Sequence, residues 1–225
     1  FGGLDAYFAM ARGTDAAPAM EMTKWFDTNY HYIVPELTVG MSFHLANDLP
    51  VRRFIEAKAQ GIHTRPVLVG PVTWLALGKA KTDGLDPLSL LPQVLDVYAG
   101  LLSQLAEAGA DWVQIDEPIL VRDLTTGEAE ALRNAYAALS GKGPKILLAT
   151  YFGALGDNLD LACGLPVEGL HIDLVRAPEQ LGAVLGAVGD KVLSLGLIDG
   201  RNIWRTDLTR ALGLAQTALA ALGAD

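Results

Sequence analysis

Hydrophobic positions along this chain follow two rhythms. Short, near-continuous apolar runs occur at Arg65–Gly70, Trp112–Asp116, Lys145–Thr150, Gly169–Leu174 and Lys191–Leu197. A sixth, less regular run lies in Thr28–Val34. Runs of this kind are how strands buried on both faces of a parallel sheet read. Between them, apolar residues return at helical spacing. Leu88, Leu91, Val94, Leu95, Tyr98, Leu101, Leu102 and Leu105 form one such stripe, opened by Asp86-Pro87 and closed at Gly109. Asp supplies a capping oxygen, and Pro suits the first helical position. Thr125 and Glu128 have the spacing of a capping box. Further helices are predicted from Pro178-Glu179, with Leu181, Val184 and Leu185 on one face, and over Leu208–Leu222.

Strand and helix alternate about six times, which predicts an α/β fold with a parallel sheet. A doubly wound open sheet and a (β/α)8 TIM-type barrel both satisfy that order. No Gly-x-Gly-x-x-Gly follows a strand and no phosphate-binding Gly-Lys-Ser/Thr occurs. The barrel is therefore the expectation, as a single domain over residues 1–225. About six of its eight βα units are present, so it is expected to be incomplete. The chain opens at Phe1 without an initiator Met or leader pattern and stops just past a helical pattern. Both ends are expected to be the boundaries of a fragment.

Composition narrows the function. The chain has 225 residues, 51% hydrophobic and 19% charged, with a net charge of −9 and a single Cys. This excludes a disordered chain. No apolar run reaches the roughly 18 residues of a membrane span. The acidic balance argues against nucleic acid or an anionic membrane as the main partner. One Cys cannot close an intramolecular disulfide, and no Cys/His spacing of a structural zinc site occurs.

In a βα barrel, functional groups gather at the carboxyl ends of the strands. Those ends carry Trp74, Asp116-Glu117-Pro118, Tyr151-Phe152, Asp173, Arg176, Asp199, Arg201, Asn202 and Trp204. Asp116 and Glu117 are adjacent on an extended strand, so they face opposite ways and cannot share one job. Asp116 could bind a substrate amine or act as a base, or it could bond backbone at the strand end; both readings stay open. His171 and Asp173 share a strand face. His31, Asp116 and His171 are a loose metal set without a recognised ligand spacing, so no metal site is expected. His63 lies at the opposite end of the sheet and reads as structural. Cys163 has no activating partner in sequence and reads as a small buried residue. Lys24 stands in an aromatic-rich segment with Asn29 and His31, either as a ligand contact or as a solvated residue of an amphipathic helix.

Several of these segments together resemble one family. Met22–Glu36, Arg65–Leu75, Trp112–Pro118, Leu147–Gly153, Gly169–Val175 and Gly196–Trp204 are similar to the cobalamin-independent methionine synthases. The resemblance implies two (β/α)8 barrels in the full protein. This chain would be most of the N-terminal one, without its first part. The zinc, bound by His, Cys and Glu, and the homocysteine would belong to a C-terminal barrel absent here, so the fragment itself would hold no cofactor. The implied reaction is methyl transfer from 5-methyltetrahydropteroyltri-L-glutamate to homocysteine, in the cytoplasm. Lys24 matches the family lysine that contacts the folate polyglutamate tail. Asn29, His31, Trp74, Asp116, Asp173, Arg201 and Asn202 are further candidate contacts on the same face. Asp116 matches a motif with which the C-terminal barrel holds substrate, a role the N-terminal barrel does not keep. The implied partners are the folate and the C-terminal barrel. The chain would be inactive alone, and exposed sheet edges would permit self-association. Two rival readings are a free-standing decarboxylase-like barrel enzyme using Asp116, His171 and Arg201, and a purely structural module.

Overall fold

The structure is a computed structural model that describes residues 3–223. Phe1, Gly2, Ala224 and Asp225 lie outside the described residues, and with them the reading of the chain ends. In chain order, helix α1 (Gly3–Arg12) precedes a hairpin of β1 (Met22–Lys24) and β2 (His31–Ile33). Next come β3 (Glu36–Leu37), α2 (Leu49–Ala59), β4 (Val67–Val69), α3 (Pro71–Ala76), β5 (Lys79–Ala80) and α4 (Leu91–Glu107). Then follow β6 (Trp112–Asp116), α5 (Thr126–Leu139), β7 (Lys145–Ala149), α6 (Leu159–Gly164), β8 (Gly169–Asp173), α7 (Leu181–Ala187), β9 (Val192–Gly196) and α8 (Leu208–Leu222).

The main sheet has five strands, all parallel, in the order β4-β6-β7-β8-β9. Successive strands are neighbours because each intervening helix packs back across the same face. That face carries Val113, Ile115, Ile146, Leu148, Leu170 and Ile172, all buried. Helical residues Leu102, Leu105, Leu132, Tyr136 and Val184 close over them in one apolar core. The opening stripe behaves as its spacing predicts: Leu91, Val94, Leu95, Leu101, Leu102 and Leu105 are buried along α4. A 3-10 turn at Pro87–Leu90, capped by Asp86, leads into it. The Thr125–Glu128 capping box forms in full at the start of α5.

The sixth run does not join this sheet. β2 pairs antiparallel with β1 instead, with Lys24 opposite His31. The cause is visible in the residues: Asn29, Tyr30 and His31 are polar or exposed and could not be buried on both faces. Lys24 accordingly sits on a strand, not on an amphipathic helix. Five strands, not six, therefore make the main sheet, and β3 and β5 form a separate two-residue parallel ladder. The outer edges of β4 and β9 have no strand partner among the described residues, so the sheet does not close into a barrel there. No helix of the described residues is long and apolar enough to cross a membrane.

Candidate functional site

The register of the main sheet lays its second face out in rows. One row runs Val69, Asp116, Ala149, His171, Ser194 across β4, β6, β7, β8 and β9. The row toward the amino ends is Val67, Gln114, Leu147, Gly169, Val192. Asp116 and His171 thus flank Ala149, which is itself fully buried. Gln114 Nε2 donates to Asp116 Oδ1 at 2.7 Å, and the Tyr151 hydroxyl donates to Oδ2 at 3.0 Å. Arg65 Nη2 donates to Gln114 Oε1 at 3.0 Å, so a polar chain links Arg65, Gln114, Asp116 and Tyr151. His171 Nδ1 lies 2.8 Å from Ser194 Oγ. Gly196 makes room for the ring, since a Cβ there would stand 3.1 Å from His171 Nε2. A cavity of about 450 Å³ opens at the amino ends of these strands, lined by Arg65, Trp112, Leu147, Val192 and Ser194 among others.

Burial shapes the charges of this face. It pushes the Asp116 carboxyl above the usual range, against the pull of the Gln114 and Tyr151 hydrogen bonds. It pushes the His171 imidazole below its usual range, against the attraction of Asp173 and Asp116. The Tyr151 phenol is pushed up by burial and by Asp116. Burial thus disfavours the charged form of both groups, which suits hydrogen bonding to a small polar ligand.

Glu117 goes the other way. It is fully buried among the helices, accepting from the backbone N–H groups of Val72 at 3.2 Å and Thr73 at 2.8 Å and from the Tyr136 hydroxyl at 3.3 Å. Burial pushes its carboxyl up to about 7. Gly70 leaves the space it fills, since a Cβ there would lie 2.0 Å from Glu117 Cδ. The alternation of neighbouring strand residues therefore separates an open carboxyl from one that ties β6 to α3.

At the carboxyl ends, the β1–β2 hairpin packs on the loop after β7. Trp25 meets Phe26 and Tyr32 edge-on, with centroids 5.2 and 5.6 Å apart. Phe26 rests 5.5 Å from Phe152, which lies 4.6 Å from Tyr151. Phe26 (φ 51°) and Phe152 (φ 81°) are the two non-glycine residues with left-handed backbone among the described residues. Such a conformation costs an aromatic residue on the order of 1–3 kcal/mol and must be held by its surroundings. Asp173 supplies part of the hold. Its carboxylate accepts from the backbone N–H of Phe152 at 3.0 Å and from those of Val175 and Arg176 at 2.9 Å. Asp27, next to Phe26, is tied to the strand ends in turn. Arg176 Nη1 donates to one of its carboxylate oxygens at 2.6 Å and Arg201 Nη1 to the other at 3.2 Å. The Arg176 hydrogen bond does most to hold the Asp27 carboxyl below the usual range.

The candidate residues thus divide. Lys24 and His31 are cross-strand neighbours, both exposed, and Lys24 makes no ion pair among the described residues. Asn29 is exposed in the hairpin turn. Arg201 joins this hairpin through Asp27, while Asp116 and His171 share the inner row. Asp173 is occupied by backbone. Asn202 is occupied within its loop, donating to Asp199 and accepting from the Trp204 N–H. Trp74 packs edge-on to Phe43 at 5.9 Å, partly buried against the core. His63 pairs with Asp111 at 3.0 Å. Gln114, Arg65, Ser194 and Asp27 were not among the candidates. Gln114 was findable, since it stands two residues before Asp116 and so on the same face. Asp27 was not, because both its partners lie more than a hundred residues away.

Among the described residues, no three His, Cys, Asp or Glu side chains converge on a metal position. Cys163 is buried, and burial pushes its thiol up, away from the thiolate a metal requires. These residues do not fit a zinc site.

Fold and site together define a parallel βα domain with a polar inner face and an aromatic, cation-bearing surface at its strand ends. The chain belongs to the cobalamin-independent synthase N-terminal domain family, whose model matches residues 2–223. A 5-methyltetrahydropteroyltriglutamate–homocysteine methyltransferase of Chelativorans sp. (strain BNC1) is 59% identical, over 93% of this chain and 29% of its own length. One of Caulobacter vibrioides is 53% identical, over 99% of this chain and 31% of its own length. The chain therefore spans about three tenths of these relatives. The solved B12-independent methionine synthase of Shewanella sp. W3-18-1, in complex with selenomethionine, is similar with a TM-score of 0.70 at 17% identity. That match covers 91% of this chain and 64% of the other. A methyltransferase from Methanosarcina mazei gives 0.52 at 14% identity, covering 88% and 74%. At such identities the likeness concerns the fold alone.

Proposed function

We propose that this chain is the N-terminal part of an enzyme that moves a methyl group from 5-methyltetrahydropteroyltriglutamate to homocysteine. Its own share is to receive the acidic folate tail and to support a C-terminal barrel; by itself it is inactive. The names of the relatives supply the reaction class. The observation that carries the chain's share is Lys24, exposed on a hairpin strand beside His31 and the Trp25–Tyr32 aromatic pair, with no carboxylate engaging it among the described residues. A γ-linked glutamate tail presents several carboxylates at variable positions, and a flexible ammonium can follow them.

Two measurements test it. Calorimetric titration should show the triglutamate form binding more tightly than the monoglutamate. Lys24→Ala should remove about 2- to 5-fold of the triglutamate affinity and leave the monoglutamate unchanged, the worth of one exposed ion pair. Equal, negligible binding of both forms would favour a purely structural module. Methyl transfer by the purified 225-residue chain alone would refute the assignment of the chemistry to another domain.

A further inference from the structure

The inference rests on the tail-binding reading and concerns cations other than Lys24. Arg176 follows β8 and Arg201 follows β9, and both guanidinium groups converge on one carboxylate, that of Asp27. Arg201 also donates through Nη2 to the Asp27 backbone carbonyl at 3.2 Å and lies over the Phe152 ring at 5.6 Å. The two arginines thus each hold one oxygen of the same carboxylate through a charge-assisted contact. The carboxylate they hold belongs to the hairpin that also carries Lys24, three residues earlier. None of the three side chains is buried; they are 39 to 50% exposed, so a dissolved anion can reach the pair. Where the carboxylate is carried matters too. Asp27 directly follows Phe26, one of the two aromatic residues held in left-handed backbone, and Phe26 rests on the other. The Asp27 carboxylate is itself half-exposed and held at the arginines by solvent-accessible ion pairs of modest strength, so an equivalent dissolved carboxylate can exchange with it.

We infer that Arg176 and Arg201 form a second carboxylate subsite for the acidic tail, occupied in the free chain by Asp27 as an internal competitor. A tail carboxylate enters by displacing Asp27, with no bond made or broken beyond the ion pairs. The apparent affinity is then set by the fraction of time that Asp27 leaves the arginines. A simple structural tether makes the opposite demand, since it gains nothing from losing Asp27.

A double-mutant cycle separates the two. The titrant is 5-methyltetrahydropteroyltriglutamate, and the variants are Asp27→Asn, Arg176→Gln with Arg201→Gln, and all three together. Asp27→Asn should bind about 3- to 10-fold more tightly than wild type, the competition of two exposed ion pairs having been removed. That gain should vanish when both arginines are Gln. Unchanged or weaker binding by Asp27→Asn overturns the subsite. So does a gain that survives without the arginines, because a general charge effect would then explain it. Lys24→Ala keeps the two readings apart. Loss of affinity in Lys24→Ala with a flat cycle leaves the tail reading standing and removes the subsite. A coupled cycle with no effect of Lys24 removes Lys24 and keeps the arginines. No triglutamate binding by wild type or Asp27→Asn overturns both.

Discussion

Glu117 is a carboxylate with no cation beside it. It forms no ion pair among the described residues, and the groups whose titration its charge raises are the phenols of Tyr98, Tyr136 and Tyr151. Three donors hold it, and burial still wins, raising its carboxyl from 4.5 to about 7. The folded protein therefore binds this proton more tightly than the unfolded chain does. The stabilising effect is full below the unfolded value and is lost as pH rises through the folded one. At about 1.4 kcal/mol per pH unit, stability should fall by roughly 3 kcal/mol between pH 4.5 and 7 and then level off. Urea unfolding across that range should show the fall in wild type and not in Glu117→Gln. A parallel slope in both proteins would mean that another group titrates. The neighbouring Asp116 shares the direction of its shift, but it is only half-buried and faces the open side of the sheet, where a ligand can reach it.

At the level of elements, local signals decided where helices begin. The Thr125 hydroxyl accepts from the Glu128 N–H at 3.2 Å, and the Glu128 carboxylate accepts from the Thr125 N–H at 2.8 Å. Each satisfies a donor that the first turn of α5 would otherwise leave bare. Thr125→Ala should cost about 1 kcal/mol in thermal unfolding while leaving ligand titrations unchanged. A loss well above 2 kcal/mol would show that the cap also braces the tertiary packing of α5. The β1–β2 hairpin is an element of a different kind. Its three-residue strands are held to the strand ends by Asp27, by the Phe26–Phe152 contact and, at its base, by a 2.6 Å ion pair between Glu21 and Lys79. Few apolar groups bury it, so charge and aromatic contacts decide its position.

Across the whole molecule, the sheet presents two unpaired edges among the described residues. Val67 on β4 is 55% exposed and Val192 on β9 is 56% exposed, both on the face that a closed barrel would bury. Exposed strand edges with apolar flanks pair readily with other chains. The isolated chain should therefore associate as its concentration rises, read by sedimentation velocity. Val192→Lys should suppress this, because a charge on an edge strand opposes pairing. A concentration-independent monomer would show that the edges are protected.

Sequence periodicity by itself determined the parallel α/β class, the five main strands, the helical stripes and the caps. Each of these rests on the spacing of neighbouring residues, which the backbone turns directly into a face or a turn. It also separated Asp116 from Glu117, since adjacent strand residues must point apart. Periodicity could not tell that Thr28–Val34 pairs with Met22–Lys24 outside the main sheet, because pairing partners are set by tertiary packing. Nor could it bring Asp27 to Arg176 and Arg201, or align Asp116 with His171 in one row across Ala149. Those arrangements depend on register and on contacts between residues far apart in the chain, which only the folded structure decides.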